Sequence, residues 1–191
     1  MKPFIKFTGL CFFAILLFGC SSETPERRFL EFIKEVDQQY SELAEIQRSL
    51  ESSEKDESRL YSRLISLPPE AAAGGELYEK LLKNHKNRKN LVEQEMQVLE
   101  QVSEAIGNNE KLVEKIEAAA SREGAEKCLA FIHNRGELNK TVISAYMDGL
   151  AKDLELYEKI KQADSPIASL DRAVKEVNRS YLSIGKAQAN F

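Results

Sequence analysis

"LESSEKDESRLY", residues 50–61, interrupts a long apolar stripe without any residue that ends a helix. Before it, Phe29, Phe32, Ile33, Val36, Tyr40, Leu43, Ile46 and Leu50 recur at three- and four-residue spacing. After it, Leu60, Tyr61, Leu64 and Leu67 resume the spacing. Within it the inward places fall to Ser53, Glu54 and Glu57. No Gly or Pro occurs between Pro25 and Pro68, so the periodicity predicts one helix over about 25–67. Thr24 suits its N-cap and Pro25 its first turn. The polar interval therefore lies inside a helix and needs a partner.

The partner is sought on the next periodic run. "LPPEAAAGGE" (67–76) is a strong breaker. A second series follows: Tyr78, Leu81, His85, Arg88, Val92, Met96, Leu99, Val102 and Ile106. "GNN" at 107–109 is a candidate stop, but Val113 keeps the seven-residue phase of Val92, Leu99 and Ile106. One helix to about 119, weakened at Gly107, is expected, with a break at Gly107–Asn109 as the alternative. Folding the two runs into a hairpin sets Leu43 against Leu99, Ile46 against Met96 and Leu50 against Val92. Continued toward the loop, it sets Glu54 against Arg88 and Glu57 against His85. Two polar gaps opposite one another form a buried polar layer, because an unpaired charge inside a bundle is costly and a paired one tolerable. Such a layer also fixes register, since a slip sets Glu against Leu.

Two more helices are expected. "AASREG" (119–124) offers a turn with Ser121 as N-cap, and an apolar series runs from Cys128 through Leu129, Ile132, Leu138, Val142, Tyr146, Leu150, Leu154 and Tyr157 to Ile160. "ADSPI" (163–167) sets Ser165 as cap and Pro166 at the start of a shorter helix. That helix carries Ile167, Leu170, Val174, Val177, Tyr181 and Ile184 and runs to the chain terminus. No alternating, turn-bounded run competes as a strand. The fold class is all-α: an elongated antiparallel up-and-down bundle of three long helices and a shorter C-terminal fourth.

The N-terminus reads as an address. In "MKPFIKFTGLCFFAILLFGCSS", Lys2 and Lys6 precede an apolar run, Phe7 to Phe18, that is too short to span a bilayer. Residues 1–19 are expected to be a lipoprotein-type signal peptide, with Leu17 and Gly19 flanking the cut. Cys20 is then the first mature residue and carries a diacylglyceryl lipid; 20–24 form its tether and 25–191 the bundle domain. Two acyl chains anchor stably where one does not. Of 3 Cys, Cys11 leaves with the leader and Cys20 takes lipid, so Cys128 remains as a structural thiol. The chain has 27 basic and 31 acidic residues. Without Lys2 and Lys6 it is more acidic still, and over its whole length no basic stripe suits a nucleic acid.

No zinc-protease motif, phosphate loop, nucleophile elbow or paired-Cys spacing is present in the sequence, and its 2 His are His85 and His133. His133 reads as a surface helical residue. No catalytic residue, cofactor or metal ligand is nominated. Two other readings stay open: a ligand- or metal-binding carrier, or an enzyme, built on the layer around His85, and a helical chaperone or regulator of an envelope complex.

Four stretches in order resemble one family over the full mature length: "LFGCSS" (17–22), "RLYSRLISL" (59–67), "AKDLELYEKIK" (151–161) and "LDRAVKEVNRSYLSIGKAQANF" (170–191). The chain is similar to the YkyA-type cell-wall-binding lipoproteins of Gram-positive bacteria. The resemblance implies a helical bundle anchored on the outer face of the cytoplasmic membrane, with cell-wall polymer or an envelope protein as partner and no catalytic residue to carry over. A non-enzymatic binding or spacer module is the expected function.

Overall fold

Thr24 opens the first helix as its chemistry requires. Its hydroxyl accepts from the Arg27 amide at 3.3 Å, and Pro25, with no amide proton, takes the first helical place. The computed structural model describes residues 24–68, 75–162 and 167–188. Helix α1 is Pro25–Leu64, α2 Glu76–Glu114, α3 Ala119–Lys161 and α4 Ile167–Gln188. The leader, Cys20, Ser165 and Pro166 lie outside the described residues, as do the side chains of Ile167 and Tyr181. Among the described residues the chain is entirely helices and turns, and α1, of 40 residues, is about 60 Å long.

The all-α antiparallel bundle is the observed architecture. α1 packs on α2, α2 on α3, and α4 returns along α3. Three apolar clusters follow one another along the rod. The near cluster, beside the start of α1, joins Phe29, Phe32 and Val36 to Val102, Ile106, Val113 and Ile116 and to Leu129 and Ile132. The middle cluster holds Leu43, Ile46, Leu50, Val92, Leu99, Ile143, Leu150 and Ile184. The far cluster, by the α1–α2 turn, holds Leu64, Tyr78, Leu81, Leu156, Tyr157 and Ala173, with Leu170, Val174 and Val177 packed against it. Helix α4 thus closes the far half and the middle.

The boundaries differ from the sequence expectations in three places. α1 stops at Leu64, not Leu67: the Ile65 amide still makes the helical bond to Tyr61, but the Ser66 and Leu67 amides switch to tighter turn bonds on Arg63 and Leu64, and Leu67 is exposed. α2 runs unbroken through Gly107–Asn109 and ends at Glu114, five residues short of 119. The Asn109 side chain donates from Nδ2 to the Ala105 carbonyl at 2.8 Å, one turn back along the same helix. Ser121 is not a cap: Ala118 holds that place without a side-chain bond, and α3 is already under way at Ala119. Ile116, buried in the turn, fixes the chain there by packing instead.

Candidate functional site

Between the middle and far clusters a polar layer crosses the bundle. It grows from three helices whose alternating three- and four-residue spacing brings polar residues inward on each: Ile46–Leu50–Ser53–Glu57 on α1, His85–Arg88–Val92–Glu95 on α2, and Tyr146–Leu150–Asp153–Tyr157 on α3. Arg88 is its centre and is fully enclosed. Its guanidinium donates from Nε and Nη2 to the Tyr146 hydroxyl at 3.1 and 3.0 Å and from Nη1 to Asp153 Oδ2 at 3.3 Å. Nη1 is also ion-paired with Glu57. The Tyr146 hydroxyl in turn donates to Glu54 Oε1 at 2.7 Å, and the Tyr157 hydroxyl donates to Glu57.

The expected layer residues therefore come to one level, but their pairing differs in detail. Arg88 reaches Glu57 directly and Glu54 through Tyr146. His85 does not meet Glu57. Its Nε2 lies 2.8 Å from the Leu150 carbonyl of α3, and since a carbonyl only accepts, Nε2 carries the proton. The ring also meets Tyr157 edge-on, with centroids 6.1 Å apart. Ser53 is occupied as well: Asn87 donates to its hydroxyl at 2.9 Å and Asn84 to its carbonyl at 3.0 Å. The cause is the third helix. A two-helix register sees Glu and Arg on facing rods; α3 inserts Tyr146 and Asp153 between them.

Asp153, Glu95 and the two tyrosine hydroxyls are the participants the sequence reading passed over. Asp153 displaces the expected Leu154, which is 40% exposed. Glu95 takes the inward place beside Met96, which is only half-buried. A signal is present: both acids sit on the strict spacing of their helices, although an acid at such a place is more often solvated. Tyr146 and Tyr157 fit the apolar series, and nothing in a helical period shows where a hydroxyl lands.

The electrostatics follow from enclosure. Burial raises the Tyr146 phenol well above its usual range, with Arg88 pulling it back and Glu54 pushing it further up. Burial and then the Glu57 charge raise Tyr157 in the same way. Both stay neutral donors. Glu95 lies about two turns from Arg88, at the level of the middle cluster, and burial lifts its carboxyl to about 7. A Gln47 hydrogen bond works against that and the Glu54 charge with it, while Glu95 Oε1 has no partner.

Chemically this is a clamp of two carboxylates and one phenol on one guanidinium, with Glu54 held behind Tyr146 and Tyr157 held on Glu57. It joins three helices and commits the donors of its cation. Among the described residues no three His, Cys, Asp or Glu are grouped to hold a metal ion, and His85 spends Nε2 on a backbone carbonyl. His133 is exposed, and Cys128 is half-buried against the near cluster and forms no disulfide among the described residues. Among the described residues, five large apolar side chains are exposed: Ile65, Leu67, Phe131, Leu154 and Leu182. Phe131 alone among them lies in the half that α4 leaves uncovered, so they form no continuous patch there.

Comparison with curated proteins and with solved structures finds no match. A family profile, YkyA, described as "Putative cell-wall binding lipoprotein", matches residues 24–191. That span takes in all four helices, and the chain belongs to the YkyA family.

Proposed function

We propose that the protein is a lipid-anchored, extracytoplasmic spacer and binding module with no catalytic role, which holds its far end against cell-wall polymer or an envelope partner. The observation that carries this is the position of α1. It begins at Pro25, five residues after Cys20, and continues without interruption for 40 residues. A diacylglyceryl group on Cys20, with residues 1–19 removed as a signal peptide cut between Gly19 and Cys20, sets the start of that helix at the membrane surface. The tether from Cys20 to Thr24 leaves little slack, so the end of α1 at Leu64 stands about 60 Å out. No described helix is long and apolar enough to cross a membrane, so a bilayer attachment falls to the segment before α1.

The family description supports envelope association, and the polar layer supports the spacer role. Matched donors and acceptors lock the three rods in one register, so the far end cannot slide relative to the base. The carrier reading around His85 has less support, because the groups it would use are engaged with one another.

The test is cosedimentation of the full chain, in an uncharged detergent, with purified cell wall. Retention on wall that survives a detergent wash is the expected result. Absence of both wall retention and any envelope partner crosslinked from the 64–75 turn in intact cells would overturn the proposal.

A further inference from the structure

The fold sorts charge along the rod. The Tyr146 level divides the described chain into a near half (24–54, 91–118, 119–146 and 185–188) and a far half (55–68, 75–90, 147–162 and 167–184). The near half carries 11 Lys and Arg against 18 Asp and Glu; the far half carries 14 against 10, or 14 against 12 with Glu70 and Asp164 of the two segments that join its helices. An acidic protein is therefore bipolar: negative at the base and positive at the tip. The contrast is sharper on the outside. Glu57 and Asp153, two of the far acids, are turned inward on Arg88, with side chains 14% and 6% exposed.

The positive charge is densest on α2. From Lys80 to Val92, "KLLKNHKNRKNLV" contains five cations and no acid. Arg88 points inward, and Lys80, Lys83, Lys86 and Lys89 are exposed. Lys80 pairs with Glu76 and Lys89 with Glu93, both across one exposed turn, and pairs of this kind contribute little and exchange readily. Lys83 and Lys86 have no ion pair among the described residues. They sit one turn apart, about 4.5 Å along the axis. Asn90 continues the same exposed face. Charge counted over the whole sequence hid this surface, because the acids that balance it lie at the other end.

We propose that the far end of α2, centred on Lys83 and Lys86, is a docking surface for a linear phosphodiester polymer of the cell wall. The inference rests on the anchored orientation proposed above. A flexible polyanion matches a row of unpaired lysines on a convex helix, because its affinity comes from neutralised phosphates and released counterions rather than from a shaped pocket. Anionic lipid is disfavoured as the occupant: the base that faces the membrane is the negative half, and like charge holds the rod away from that surface.

The experiment uses the full chain in an uncharged detergent, with long-chain inorganic polyphosphate as the probe. Two variants of equal charge change are compared: Lys83→Glu with Lys86→Glu, and Lys34→Glu with Lys111→Glu in the near half. All four side chains are exposed, and circular dichroism melting confirms that each variant is folded. The far pair should weaken polyphosphate binding about tenfold or more and reduce the log–log salt slope by roughly 1 to 2, the near pair less than about twofold. Equal weakening by the two pairs, or no polyphosphate binding by the parent chain, overturns the proposal. So does protection of Lys83 and Lys86 from amine labelling in phosphatidylglycerol vesicles but not by polyphosphate, which assigns the surface to lipid. Wall stripped of its phosphodiester polymer separates the two proposals. Equal retention on stripped and intact wall ends this one and leaves wall binding standing; retention on neither ends both.

Discussion

At the scale of single residues, Arg88 and Glu95 are both buried and behave oppositely. Arg88 is matched by two carboxylates and a phenol, so removing it strands partners that are already desolvated. Arg88→Met is expected to cost about 3–5 kcal/mol of stability. Asp153→Asn should cost less, and the two should couple by at least about 1 kcal/mol in a double-mutant cycle read by urea unfolding. Strict additivity would break the assigned pair. Glu95 has one hydrogen bond and a bare oxygen, and its folded pKa is about 7 against an ordinary 4.5. Between those values the folded chain keeps a proton that the unfolded chain has released. Stability therefore falls as pH rises through that window, by on the order of 3 kcal/mol, and the loss is complete above it. Glu95→Gln should raise the melting temperature at pH 8, leave it nearly unchanged at pH 4.5, and flatten the slope between. An equal shift at both pH values would rule out titration of this carboxyl as the cause.

At the scale of elements, long helices here tolerate residues that usually end them. Gly107 lies inside α2, exposed, and a Cβ added to it meets nothing within 4 Å. The helix continues because Ile106 and Val113 on either side bury into the near cluster, and packing outweighs a local preference of about 1 kcal/mol. Gly107→Ala should stabilise by about 0.5–1 kcal/mol, as a higher urea midpoint at unchanged m value. A lower midpoint would mean that the site needs the freedom of glycine. The α2–α3 turn shows the converse. The periodic apolar pattern ran past the true end of α2, because Ile116 is buried from the turn and keeps the helical phase without being helical. Burial and helicity coincide within an element and separate at its ends, which is why phase located the rods but misplaced their boundaries.

At the scale of the whole molecule, a register-locked rod with the proposed lipid at one end and cations at the other would be an instrument for reaching. The proposed anchor decides which end is presented. Cys20→Ser is expected to release the protein from the membrane fraction or leave it as the longer precursor, read by fractionation and intact mass; unchanged attachment at unchanged mass would remove the lipid from the scheme. The sequence by itself determined the four helices, the antiparallel order and the level at which the polar layer forms, because periodicity, caps and breakers are properties of neighbours along the chain. It placed Glu54, Glu57, His85 and Arg88 at that level from two rods alone. Only the tertiary structure decided who holds whom: α3 brought Tyr146 and Asp153 to Arg88, took His85 for the Leu150 carbonyl, and left Glu95 short of partners. The gathering of positive charge at one end was likewise settled by folding, since residues 55–68, 75–90, 147–162 and 167–184 are distant in sequence and meet only when the helices turn back on one another. Spacing along a chain encodes which face a side chain takes; which neighbour it meets depends on every other helix at once.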